Sequence, residues 1–284
     1  GSECTVRWFI DDTKISHIDP TIVTDILNHL ESHFGKITIT RGAEHEFLGM
    51  QIKYNGDRTA SIHMPSYICE AINECSLPIT KSSPSPCAST LLVIDPSFPL
   101  LITIKAKTFH HIIAKLIYVS TWAHMDILFA LGFLCGHVSA PTEQDEKKLK
   151  CLLEYLHGSI DEVLHLSADS LNQFVTWVDA SFAMHTDMHS HTGGVISFGH
   201  GGLLCKSKKQ SINTKSSTEA ELIGASDYLP NTLFVKLFME AQGYPIMMAT
   251  FYQDNESAIK MQRNSKASCG QHSRHIDIWY FFIT

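Results

Sequence analysis

Apolar positions alternate or cluster in short runs at both ends of the chain, and they recur at helical spacing through its middle. Near the start, Val6 to Ile10 reads as a strand that delivers Asp11 and Asp12. Ile22, Ile26, Leu30 and Phe34 then predict a helix over Thr21 to Phe34. Strands are expected at Ile37 to Ile39, Phe47 to Tyr54 and Ala60 to His63, with Asn55-Gly56 turning the last two into a hairpin. Pro78 to Pro99 carries five prolines, a density that forbids a helix and marks a linker or an extended connection. Helical spacing follows around Ile112 to Ser120, Asp126 to His137 and Thr142 to Leu156, the last opening on Pro141-Thr142-Glu143.

After Asp169 the order becomes strand, strand, strand, helix, strand, helix. Phe174 to Val178 ends in Asp179, and Gly194 to Phe198 and Leu203 to Lys209 flank a turn at His200-Gly201-Gly202. A long helix begins near Ser216, its stripe Leu222, Leu229, Leu233 and Leu237 expected to face a core and Pro230 expected to kink it. Ala249 to Tyr252 leads to Gln253-Asp254, and Glu256 to Gln262 forms a short helix. The pattern predicts an α+β or α/β protein whose last part is a mixed sheet with helical cover.

Composition narrows this picture. A chain of 284 residues can bury a sizeable core and suits two compact units better than one. Its net charge of -7 argues against bulk adsorption to nucleic acid or an anionic membrane, while leaving room for a local basic patch. The eight cysteines form no C-x-x-C pair, so neither a zinc ribbon nor a disulfide scaffold is suggested, and a reducing compartment is expected. The longest apolar run, Ile127 to Cys135, is far too short to span a bilayer as a helix. A soluble intracellular, cytoplasmic protein without membrane contact is therefore expected.

The candidate chemistry lies in carboxylates. Ser216 and Glu219 fit a capping box, whereas Glu221, about 200° round the helix from Glu219 at about 3.6 residues per turn, needs another partner. Asp179 and Asp254 stand at the ends of two strands. If those strands are neighbours, the three acids converge on one sheet edge, where their mutual repulsion calls for hard divalent cations. Strand-end aspartates also cap turns, so spacing alone leaves both roles open. Asp11-Asp12 could share one metal only at a tight turn, and a solvated turn is the simpler reading. Lys206, Lys208, Lys209 and Lys215 lie on the strand and turn before Glu221. They suit phosphate contacts or a charged edge that resists aggregation. His185, His189 and His191 with Cys205 match no standard tetrahedral zinc spacing and read as loop histidines.

Several ordered motifs together resemble the Pol region of copia-type LTR retrotransposons: WFIDDTKIS and HEFLGMQI, then HIIAKLIYVS and PTEQDEKKLKCLLEYLHGS, then SKKQSINTKSSTEAEL, YQDNESAI and SRHIDIWYFF. The resemblance implies part of a reverse transcriptase palm over residues 1–75, a connection over 76–170 and an RNase H-like domain over 171–284. By position, Asp11 and Asp12 would be palm metal ligands, with Phe9 where the family has Tyr. Phe47, Leu48, Gly49 and Met50 would match the strand that positions a primer terminus. Asp179, Glu221 and Asp254 would be the first three RNase H carboxylates, holding Mg2+ or Mn2+ for hydrolysis of the RNA strand of an RNA-DNA hybrid. The family's earlier palm aspartate would lie before Gly1. Its fifth strand and fourth RNase H carboxylate would lie after Thr284, so polymerisation is not expected and Asp277 is not assigned as that fourth ligand. Trp279 replaces a typical Arg, and His124-Met125 replaces a basic residue and Pro. A chain that has lost catalysis and binds nucleic acid or protein is the alternative expectation.

Overall fold

The computed structural model describes residues 3–264; the expectations for Asp277 and the SRHIDIWYFF segment lie outside them. The chain opens on a hairpin of β1 (Thr5–Phe9) and β2 (Asp12–Ser16), followed by α1 (Pro20–Phe34). Asp19 caps α1, its carboxylate accepting from the Thr21 N–H at 2.9 Å. β3 (Glu44–Phe47), β4 (Met50–Tyr54) and β5 (Ala60–His63) then form antiparallel hairpins and lead into α2 (Pro65–Glu74).

Three sequence expectations change here. Ile37 to Ile39 is not a strand: β-branched residues favour extended backbone, but a strand needs a neighbour, and this run has no strand partner among the described residues. The Phe47 to Tyr54 run is two strands, because Leu48 and Gly49 turn back with φ of 53° and 73°. Positive φ at both central positions is what a two-residue hairpin loop requires. The third change is α2, which the apolar pattern does not predict; Pro65 starts it by fixing φ where no intrahelical donor is needed.

Residues 78–99 contain no helix or strand, as their prolines demand, but they do not hang free. Leu91 is buried, and the Ser83 N–H donates to the Glu154 carbonyl at 3.1 Å. α3 (Thr103–Trp122), a short 3-10 turn (Met125–Ile127), α4 (Leu128–Cys135) and α5 (Glu143–Gly158) make the helical layer. Thr142 and Asp145 form a reciprocal capping box at the start of α5. One apolar core joins these helices to α2 and to the β3–β4 hairpin, with Met64, Ile68, Leu116, Leu134 and Leu152 fully buried.

β6 (Leu164–Ala168) pairs with β5, and β9 (Gly199–His200) pairs with β6, so one five-stranded sheet joins early and late parts of the chain. The expected boundaries near residues 75 and 170 fall in loops, while this sheet runs across both of them. The second sheet holds β7 (Gln173–Ser181), β8 (His191–Ser197), β10 (Leu204–Lys209) and β11 (Met248–Tyr252), in the order β10-β8-β7-β11. β8 is antiparallel to β7 and β10, and β11 is parallel to β7.

Across the second sheet lies α6 (Ser217–Ala241), with Pro230 carried inside one continuous helix. Its buried face is not the expected leucine stripe. Leu222 is buried, but Leu233 and Leu237 are exposed, and Ala225, Tyr228, Thr232 and Val235 are buried instead. The two stripes share a helical period but differ in phase, and the phase is set by close approach near the helix start. A Cβ on Gly224 would stand 3.1 Å from Thr192 Oγ1 and 3.2 Å from the Ala180 Cβ. The missing Cβ is what lets α6 lie this near β7 and β8. α7 (Glu256–Asn264) ends the described chain. Mixed α and β elements form two main sheets, the second covered by α6.

Candidate metal centre

Alternation along β7 sorts its residues. Phe174, Thr176, Val178 and Ala180 are buried on the α6 side, while Trp177 and Asp179 are exposed. Because β11 runs parallel to β7 and is bonded to it, both strands end on the same side of the sheet. Tyr252 opposes Trp177, their rings stacked with centroids 6.0 Å apart, and Asp254 follows two residues beyond Tyr252. The condition that sequence leaves open, adjacency of these two strands, is therefore met.

α6 supplies the third acid. Ser216 caps it, its Oγ accepting from the Glu219 N–H at 3.2 Å, and Glu219 turns back to accept from the Lys215 N–H at 2.6 Å. The first contact satisfies a donor that the first turn of a helix leaves open, and the second ties the Glu219 carboxylate to the residue just before the cap. Gln210 fixes the same end of the helix from the strand side. Its Nε2 donates to Thr192 Oγ1 at 2.9 Å and to the Ala220 carbonyl at 2.8 Å, while its Oε1 is buried without a hydrogen-bond partner among the described residues. With the first turn held in this way, Glu221 points to the strand ends. Its Oε1 accepts from the Ala180 N–H at 3.2 Å and its Oε2 from Gln253 Nε2 at 3.3 Å.

Among the described residues, Asp179, Glu221 and Asp254 form the one group of three or more His, Cys, Asp or Glu side chains able to hold one ion. Each offers a ligand atom, all within 4.8 Å of one another. Glu221 is 5% exposed, and burial pushes its carboxyl up to about 7, the negative charges of Asp179 and Asp254 pushing the same way. The Ala180 N–H and the Gln253 amide oppose this by stabilising the charged form, and no basic side chain adds to their effect. An uncompensated set of hard oxygen donors is the electrostatic form of a divalent-cation site. A groove of about 740 Å³ borders it, walled by Trp177, Asp179, Tyr252 and Asp254 on the sheet and by Met125 and Phe129 on the helical layer.

The other predicted residues lie elsewhere. Ile10 and Asp11 make the two-residue β1–β2 turn, Ile10 at φ 51°, and Asp12 pairs with Phe9 across it. Both aspartates are exposed. Phe47 and Met50 are buried core residues on either side of the Leu48-Gly49 turn, and the Leu48 carbonyl accepts from the Tyr118 hydroxyl at 2.8 Å. Lys206 and Lys208 share a face, as expected, and both act on α6: Lys206 Nζ donates to Asn231 Oδ1 at 2.6 Å, while burial raises the Asp227 carboxyl and the charge of Lys208 only partly opposes this. Lys209 pairs with Asp187. Of the three histidines expected in a loop, His185 and His189 are there and half-buried, but His191 is the buried first residue of β8: His185 Nε2 meets His191 Nδ1 at 3.0 Å, and burial, reinforced by His185, lowers His191 to about 4. Two residues that hold the site, Gln253 and Gln210, do not emerge from the sequence pattern. Gln253 is signalled only as the polar residue immediately before Asp254, and nothing in the pattern shows that Gln210 is buried.

Known proteins resemble the chain along most of its length. It is 24% identical over 282 residues to the retrovirus-related Pol polyprotein from transposon TNT 1-94 of Nicotiana tabacum, a match covering 97% of this chain and 21% of that protein. It is 26% identical over 285 residues to the corresponding polyprotein from transposon RE1 of Arabidopsis thaliana, covering 97% of this chain and 18% of that one. The transposon Ty1-LR3 Gag-Pol polyprotein of Saccharomyces cerevisiae matches at 23% over 245 residues, 81% of this chain and 14% of that protein. Its homologues are copia-type retrotransposon Pol polyproteins. The chain spans about a fifth of the length of these Pol relatives or less. No family model and no solved structure matches it. Among the described residues, no helix is long and apolar enough to cross a membrane.

Proposed function

We propose that this part of a Pol polyprotein carries an RNase H-type centre in which Asp179, Glu221 and Asp254 hold Mg2+ or Mn2+ and act on the RNA strand of an RNA-DNA hybrid. The observation that carries the reading is the meeting of three carboxylates from two parallel strands and a helix, with no basic side chain drawing Glu221 down. The donor set fits the ions: all ligands are carboxylate oxygens, and the raised Glu221 marks charge that a bound cation would relieve. When bound, such ions supply Lewis acidity at a phosphodiester and lower the pKa of a water. The protein's share is placement. Asp179 and Asp254 offer exposed oxygens from the strand ends. Glu221 enters from the helix as the third carboxylate and would hold an ion in its charged form, and the Ala180 N–H keeps its Oε1 in place.

Selection of a hybrid rests on backbone shape and 2'-hydroxyls, with Lys206, which lines the groove beside the acids, and Lys208, Lys209 and Lys215 of the same strand and the turn after it as phosphate contacts. The paired Asp11 and Asp12 sit apart on an exposed turn, and no polymerase step is assigned to them. The test is cleavage of a labelled RNA-DNA hybrid by the purified chain in Mg2+ or Mn2+. Cleavage that vanishes in Asp179→Asn and persists in Asp12→Asn supports the reading. Metal binding at these acids without cleavage under any divalent ion reduces it to nucleic-acid or protein binding.

A further inference from the structure

The end of β11 brings two neighbouring polar side chains to the centre, and the proposed chemistry uses one of them, Asp254. The other, Gln253, meets Glu221 twice: its Nε2 lies 3.0 Å from the Glu221 main-chain oxygen and 3.3 Å from Oε2. Both facing atoms are oxygens, so the NH2 end of the amide is the end that fits there. The other Glu221 oxygen is held by the Ala180 N–H at 3.2 Å. Each carboxylate oxygen therefore has a donor from a different one of the two strands that carry Asp179 and Asp254. A carboxylate gripped at both oxygens is held against rotation about its last bond, and its distance to both aspartates is set by the β7–β11 pairing. The contact to the Glu221 carbonyl adds a second tie, from the strand end to the helix backbone at the same residue. A neutral amide suits this position because a lysine would compete with a cation, and a carboxylate would add a fourth negative charge.

We propose that Gln253 is the positioning residue of the centre, orienting Glu221 toward the space between Asp179 and Asp254 without itself binding an ion. This rests on the metal-centre reading of the same three acids. Hydrogen-bond partners of ligating carboxylates typically alter metal affinity by about 10- to 100-fold. The test uses the full chain as wild type, Gln253→Met, which keeps the length and removes the donor, and Gln253→Asn, which keeps the amide and shortens its reach. Mn2+ affinity is measured by calorimetric titration, and the melting temperature is measured in chelator. Both variants are expected to bind Mn2+ at least about tenfold more weakly while melting near wild type in chelator. Wild-type Mn2+ affinity in either folded variant overturns the inference, as does a lowered melting temperature in chelator with affinity unchanged, which would mark a merely structural contact. A wild-type chain that binds no Mn2+ overturns the underlying reading instead, and the inference with it.

Discussion

Two sets of acids in this chain begin from similar sequence, short apolar runs that end in aspartate, and reach opposite outcomes. Asp11 and Asp12 lie on a two-strand hairpin whose turn faces solvent. Arg7 of the same hairpin reaches the helical layer, its guanidinium 5.1 Å from the Trp122 ring centroid, but among the described residues Asp11 and Asp12 join no group of three possible ligands. Asp179 and Asp254 end two bonded strands of a four-stranded sheet, and a packed helix brings the buried Glu221 to them. In the first set, water screens the charges and repulsion costs little. In the second, burial and close approach raise one carboxyl to about 7. What separates a solvated turn from a candidate centre is thus the third segment and the burial it brings.

The largest expected effect that sharpens this contrast is in pH. Glu221 has an ordinary value of 4.5 and is raised to about 7 in the fold. Between these values the folded chain holds a proton that the unfolded chain has lost, so metal-free stability falls as pH rises from about 4.5 to about 7. The displacement corresponds to about 3 kcal/mol at about 1.4 kcal/mol per pH unit. Chelated protein should therefore lose stability across this window in denaturant titrations, and Glu221→Gln should flatten the loss. A smaller effect is expected from Gly224→Leu, which pushes α6 off Thr192 and Ala180. Overpacking of this kind costs about 1–3 kcal/mol and should weaken Mn2+ binding by moving Glu221, both read from titrations of the variant beside wild type. The smallest is Asp12→Asn, expected to change stability by no more than about 0.5 kcal/mol and to leave Mn2+ affinity as it is.

Strand ends and caps are legible in the sequence because they depend on local rules. Phe174 to Asp179, the Ser216 cap and the short run before Asp254 can be placed from neighbours alone. Adjacency of β7 and β11 cannot, since it is a choice of non-local pairing, and the whole site depends on it. The phase of α6 is hidden for a related reason: Leu233 and Leu237 satisfy a helical period as well as Tyr228 and Val235 do, and the contact of Gly224 with Thr192 decides between them. The Phe47 to Tyr54 run conceals a turn because Leu48, a residue seldom found at positive φ, occupies one of its two central positions. Gln253 gives little sign of itself because its role lies in its partner, Glu221, and that partner is distant in sequence.

The central claim is that Asp179, Glu221 and Asp254 form a divalent-cation centre and that Asp11 and Asp12 do not. The most direct measurement is a calorimetric Mn2+ titration of the wild-type chain at pH 8 beside Asp179→Asn and Asp11→Asn. Saturable binding in wild type and Asp11→Asn, lost in Asp179→Asn, is the predicted result. Binding that survives Asp179→Asn, or that disappears with Asp11→Asn, would contradict it.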